Sequence, residues 1–284
     1  MDNKKIKIIC DSSVDLLKET IALEDITIMP FPINIGGKCY HDGVDISVKE
    51  LYALIDKHGE LPKTAAFNSK DYEAVWDQFS DYDDIIFIGL GSGFSSSFNN
   101  ALLSTEDYPN VHIIDSKNLS SGTALLVLKM CKMRREGLSA TEIVSKIEEM
   151  VPYVRSQFAI NTFEYLHKGG RCSGVSKLLG TLLKIKPIIK VVDNKMVVSK
   201  KPIGYNKAIK AMLDDVLSNK DQVDLDHIMI THSLADDDAQ MIKKELAQYF
   251  DQNILMETYA SGTISTHCGP RTIGILYLLK KEGE

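Results

Sequence analysis

Short apolar runs punctuate the chain, and stretches with apolar residues three and four positions apart lie between them. The runs IKIIC (6–10), ITIMPF (26–31), IIFIGL (85–90) and VHIID (111–115) predict buried strands, because apolar character on both faces suits a strand covered on each side. SKDYEAVWDQF predicts a helix that places Tyr72, Val75, Trp76 and Phe79 on one face, with Ser69 set to cap it. Residues 120–135 and 139–150 repeat that period. This half therefore reads as βαβ units around a parallel sheet.

The second half predicts strands at about 157–161, 185–192, 196–199, 226–231, 253–259 and 273–279, with helices near 173–183, 204–217 and 235–249. A boundary near residue 155 divides the chain into an N-terminal lobe (1–155) and a C-terminal lobe (156–284). No Gly/Ser/Pro-rich linker marks it. Closely packed lobes are therefore expected, with a crevice between them of the kind where ligands commonly sit.

Composition narrows the function. At 284 residues and 44% apolar content the chain can bury a sizeable core. Its net charge is −6 with both signs interspersed, which argues against nucleic acid or an anionic membrane surface as partner, since either needs a clustered basic face. MDNKKIKIICDSS enters a strand-like run too short for a signal-peptide core, and no apolar stretch approaches the roughly 20 residues of a spanning helix. A soluble, cytoplasmic protein is expected. Five cysteines (Cys10, Cys39, Cys131, Cys172, Cys268) show no metal-ligand spacing, and their odd number speaks against a disulfide framework. Seven histidines include no HExxH pair, so no metal site is expected.

The densest candidate chemistry is GLGSGFSSSFNNA (89–101), with three glycines and four serines in its first nine positions. Following a strand and preceding a helix, it offers backbone N–H groups and hydroxyls suited to a carboxylate or phosphate. An ordinary turn, with Ser95 capping the next helix, explains the same residues. The dinucleotide pattern fails at Phe94, no Walker lysine follows, and Ser92 lacks the glycines of a nucleophile elbow. CDSSVDL puts Asp11, Ser12 and Ser13 at the end of the first strand, either beside a ligand or as a capping box with Asp15 in the first helical turn. Thr64 lies in a turn, and Arg171 follows a Gly-Gly turn as a bidentate donor. His267 and His232 are each more simply structural than catalytic.

Eight segments carry a resemblance over essentially the whole chain: CDSSVDL, YHDGVDIS (40–47), PKTAAFNSKDY (62–72), GSGFSSSFNNA, HIIDSKNLSSGTA (112–124), NTFEYLHKGGR (161–171), LLGTLLKIKPII (178–189) and GTISTHCGP. Together they resemble the DegV family, the fatty-acid-binding proteins that include the FakB subunits of bacterial fatty acid kinase. The resemblance implies two α/β lobes with a long-chain fatty acid in an apolar tunnel between them. Its carboxylate would be held by Thr64 and Ser95, with Ser92 and His267 beside them and Asp11, Ser12, Ser13, Gly93, Arg171 and Thr266 in support. The fatty acid is then the ligand, with no cofactor. The chain would act as a monomeric, non-catalytic carrier that presents the carboxylate to an ATP-dependent kinase for acyl-phosphate formation and phospholipid synthesis. At about 0.8 kcal/mol per buried methylene, a tail of about 16 carbons contributes on the order of 10 kcal/mol before ordering costs. The head-group site has only to orient it, and VSKLLGTLLKIKPII (175–189) supplies residues suited to a tunnel wall.

The sequence departs from the family pattern at three places. The Ser-Gly-Thr-Tyr turn is Ser95-Ser96-Ser97-Phe98, Thr-Ser-Gln-Pro-Ser is Thr64-Ala65-Ala66-Phe67-Asn68, and Ile203 and Tyr205 stand where kinase-facing arginines are expected. Two other readings compete: a lipid hydrolase or acyltransferase using Ser95 or Ser92 with His267 and Asp11, and a sensor that changes partners when lipid binds.

Overall fold

In the computed structural model, which describes residues 4–171 and 184–281, the chain opens with β1 (Ile6–Asp11), α1 (Lys18–Leu23), β2 (Ile26–Met29), β3 (Pro32–Ile35), β4 (Lys38–His41), α2 (Val48–His58), β5 (Lys63–Thr64) and α3 (Ser69–Gln78). It continues through β6 (Asp84–Ile88), α4 (Ser97–Leu103), β7 (Val111–Ile114), α5 (Ser121–Arg135) and α6 (Ala140–Met150). The second lobe holds β8 (Val154–Ala159), α7 (Glu164–Lys168), β9 (Ile188–Val192), β10 (Lys195–Lys200), α8 (Tyr205–Ser218), β11 (Val223–Ser233), α9 (Asp236–Leu246), β12 (Leu255–Tyr259), α10 (Gly262–Cys268) and β13 (Thr272–Leu279).

The four apolar runs of the first half form one parallel sheet in the order β2-β1-β6-β7, with Ile8 opposite both Ile26 and Ile86. β1 and β6 are buried along their whole length, as strands covered on both faces must be. A second sheet, β10-β9-β8-β13-β11-β12, is antiparallel except where β11 meets β12. A third, β4-β3-β5, was not expected from the sequence pattern. Its strands are short and interrupted by Pro32 and the turn Gly36-Gly37, so they carry little periodicity.

α5 packs against β1 of the first sheet and against β8, β11 and β13 of the second. Eleven of its fifteen residues are buried, which explains why its pattern is apolar nearly all round. One core therefore runs from Ile8 and Ile86 through Leu126 and Met130 to Met229 and Leu276.

Local capping differs from the sequence reading. Asn68, not Ser69, caps α3, accepting from the N–H groups of Lys70 and Asp71. Neither Ser12 nor Ser13 caps α1: Asp11 caps a single 3-10 turn, Ser12–Val14, and Asp15 adopts a left-handed conformation, so the helix begins later, at Lys18. The expected helix at 173–183, Cys172 and most of the 175–189 stretch lie outside the described residues. Cys10, Cys39, Cys131 and Cys268 are free thiols. Among the described residues no helix is long and apolar enough to cross a membrane, and no cluster of His, Cys, Asp or Glu has the makings of a metal site.

Candidate functional site

Between the lobes lies a partly open cavity containing about 920 Å³ of space not filled by atoms, its mouth included. Phe31, Leu90, Phe94, Leu119, Phe158, Leu166, Met196 and Leu276 make it predominantly apolar, as small-molecule sites commonly are. Thr64, Ser95, Arg171 and His267 also line it. These four are brought together from β5, the turn before α4, the turn after α7, and α10.

Thr64 Oγ1 and His267 Nε2 are 3.0 Å apart. Burial, and then the positive charge of Arg171, lower the His267 pKa to about 4, so the ring is neutral near pH 7. With its proton on Nε2 the ring donates to Thr64, whose own O–H is then free for a ligand. Among the described residues Nδ1 has no partner; it packs toward Gly169, where an added Cβ would lie 2.5 Å from it. Among the described residues, therefore, no carboxylate orients His267 as a serine-hydrolase triad requires. Arg171 is exposed at the rim and donates to Gly169 O at 2.8 Å. Ser95 Oγ accepts from Ser97 N at 3.1 Å and donates to Ser97 Oγ at 2.9 Å, so it supports the start of α4 while facing the cavity.

The rest of the serine-rich loop is committed inward. Leu90 N donates to Asp11, Gly91 N to Asn118 O, Ser92 N to Asp115, Gly93 N to Asn194 and Phe94 N to Gly91 O. The N–H groups of residues 90–94, read from the sequence as an anion cradle, hold the loop itself. Ser92 does not line the cavity: its Oγ donates to Asp115 Oδ2 at 2.6 Å and accepts from Asn194 Nδ2 at 2.7 Å. Gly93 is equally engaged, and an added Cβ there would meet Asn194 O at 2.0 Å.

Asp11, Ser12, Ser13 and Thr266 also lie off the cavity wall. Ser13 donates to Asp11 by both backbone and side chain, and Ser12 Oγ donates to Asp42 at 2.9 Å. Thr266 Oγ1 is buried without a partner among the described residues. Desolvation raises the pKa of Asp11 to about 6 and that of Asp15 to about 8.

Asp15 and Asp42, whose placement the sequence did not reveal, tie the lobes together. Asp42 accepts from Gly262 N at 2.7 Å and Thr263 N at 2.9 Å, anchoring the start of α10. Asp15 accepts from Ser120 Oγ and from Ser261 N, the latter at 2.8 Å. The turn preceding β10 contributes Asn194, held at a left-handed φ of 62°. Their only sequence signal was position within, or beside, the quoted segments.

Comparison with known proteins places this geometry among relatives. A DegV domain-containing protein of Clostridium acetobutylicum is 32% identical over 283 residues, covering 98% of this chain and 99% of its own. The crystal structure of a fatty acid binding DegV family protein from Streptococcus agalactiae matches with a TM-score of 0.88 at 28% identity, covering 98% of this chain and all of its own. A stearic acid-binding protein from Eubacterium ventriosum matches with a TM-score of 0.86 at 27% identity, over 97% and 98% of the two chains. Residues 5–280 match the family described as "Uncharacterised protein, DegV family", and with that span and these relatives the chain belongs to the DegV family.

Proposed function

We propose that the protein binds a long-chain fatty acid in this cavity, with the carboxylate at Thr64, Ser95 and His267 and the tail along the apolar walls. On this reading the ligand lies between the two lobes, which divide near residue 155. The observation that carries it is an apolar cavity with two hydroxyls and a neutral imidazole gathered on its wall. Hydroxyl donors suit a carboxylate and do not require a fixed cation, while burial of the tail supplies affinity. Ser92 has no direct part, because it does not line the cavity, whereas Ser95 does.

A carrier of this kind delivers its ligand rather than transforming it. The partner proposed is an ATP-dependent kinase that phosphorylates the carboxylate, with the carrier acting as a cytoplasmic monomer. Ile203 is exposed, whereas the Tyr205 ring is covered by Arg271 at 4.9 Å and its hydroxyl donates to Arg271 O. Docking there would rest on apolar and lysine contacts in place of arginines.

Denaturing extraction and mass spectrometry of the purified protein, beside a Thr64→Ala/Ser95→Ala variant with an unchanged circular dichroism spectrum, tests the binding reading. Stoichiometric fatty acid from the wild type and much less from the variant is expected. Empty protein that also gains no thermal stability from added fatty acid would overturn it.

A further inference from the structure

The Gly91-Ser92-Gly93 turn, which the sequence offers as a cradle for an anion, is filled by a side chain of the protein itself. Gly93 N donates to Asn194 Oδ1 at 3.0 Å, and Asn194 Nδ2 donates to Ser92 Oγ at 2.7 Å. A backbone N–H only donates, so the amide oxygen has to face Gly93 and the amide nitrogen Ser92. Both glycines make room for this contact. An added Cβ at Gly91 would lie 2.9 Å from Asn194 Oδ1, and one at Gly93 would lie 2.8 Å from that oxygen and 2.0 Å from Asn194 O.

Asn194 reaches the turn from the other lobe. With Asp193 it forms the two-residue connection between β9 and β10, where Val192 pairs with Lys195 and φ is 47° and 62° at the two central residues. A hairpin this tight needs positive φ at both positions, and glycine suits the second because it adopts that φ without strain. Here the position carries an amide instead, and both of its polar groups are used. Two residues on, Met196 lines the cavity.

Within the serine-rich loop, Leu90 N, Gly91 N and Ser92 N are held by Asp11, Asn118 and Asp115, all of the first lobe. The next donor, Gly93 N, goes to Asn194 in the second lobe, and Phe94 N turns back to Gly91 O. Ser95 follows, lining the cavity, and on its far side Ser97 N donates to Ser95 Oγ at 3.1 Å. Ser95 is thus held between the Asn194 contact and the start of α4.

We propose that Asn194 is a positioning residue for the carboxylate of the bound fatty acid: from the second lobe it fixes the turn that aims Ser95 at the head group. This rests on the fatty-acid reading and adds to it a residue that lies off the cavity wall. A hydroxyl held by such support binds at a lower ordering cost than one free to move. Because the tie crosses the lobe boundary, the head-group site is complete only when the lobes are docked.

Asn194→Gly is the informative variant, because the hairpin accepts glycine and only the amide is lost. Hexadecanoic acid is titrated against wild type, Asn194→Gly, Ser95→Ala and the double variant by displacement of a bound fluorescent fatty acid. Asn194→Gly should bind about fivefold more weakly than wild type, the factor for one ordinary hydrogen bond. In the Ser95→Ala background the same change should alter affinity by less than about twofold, since its effect passes through the serine hydroxyl. Wild-type affinity in Asn194→Gly overturns the proposal. So does an equal loss in both backgrounds, which a general loosening of the lobes would produce. Asn194→Asp keeps the size of the side chain but loses the donor and sets a carboxylate across Ser92 Oγ from Asp115. It should show the same background-dependent loss, and it decides the matter should the glycine variant fail to fold. The parent reading is reported separately: if wild type binds no acid, or Ser95→Ala binds as wild type does, the head-group assignment falls and this inference with it. If Ser95→Ala weakens binding and Asn194→Gly does not, only this inference falls.

Discussion

Asp15 makes stability a function of pH in a way that one substitution should expose. The residue is 4% exposed, and its carboxyl accepts from Ser120 and from Ser261 N. Desolvation outweighs these bonds and lifts its pKa from 3.8 to about 8. A carboxyl whose folded pKa lies above its unfolded value binds its proton more tightly when folded. The folded state is then favoured at low pH, and stability falls as pH rises from the unfolded toward the folded pKa. Each pH unit inside that window costs about 1.4 kcal/mol, tapering near pH 8. Asp15→Asn keeps the shape and removes the ionisation. Between pH 5 and pH 8 the stability of the variant relative to wild type should therefore rise by about 4 kcal/mol. Asp11, raised to about 6, and His267, lowered to about 4, contribute slopes of opposite sign. Both groups are present in both proteins, so their terms cancel in the difference. Urea unfolding at each pH, followed by circular dichroism and extrapolated linearly, measures it. Parallel pH profiles for variant and wild type would refute the reasoning, because they would mean that Asp15 has the same proton affinity folded and unfolded.

Three further outcomes follow from the site. Gly93→Ala puts a Cβ 2.0 Å from Asn194 O; the forced displacement should cost about 1–3 kcal/mol and lower the urea midpoint, and an unchanged midpoint would show that the turn before β10 yields freely. Asp42→Asn replaces a carboxylate that accepts from Ser12 Oγ, Gly262 N and Thr263 N; a loss of about 2–4 kcal/mol is expected in the same assay, and a neutral result would count against Asp42 as the anchor of α10. The His267 imidazole, held near pKa 4, should show no protonation shift by NMR between pH 8 and pH 5.5, and a midpoint near 6.5 would contradict its burial.

The strands of the two large sheets were legible because each is a local apolar run, and periodicity is a property of neighbouring residues. The same is true of α3, α6 and α8, whose apolar positions recur on one face. Of the site, Thr64, Ser95, Arg171 and His267 were named from resemblance and local chemistry, and the fold sets all four on one cavity wall. What local pattern could not reveal was which acceptor each polar group would meet. The Thr64–His267 pair spans 203 positions, and the bond from Asn194 to Ser92 spans 102. Ser92 and Ser95 are alike as sequence, three residues apart in one loop. Only tertiary packing decides that Asp115 and Asn194 take the first hydroxyl while the second faces the cavity. Burial has the same origin: Asp15 is an ordinary acid in the chain, and its raised pKa exists only where α5, α10 and the end of β1 close around it and exclude water.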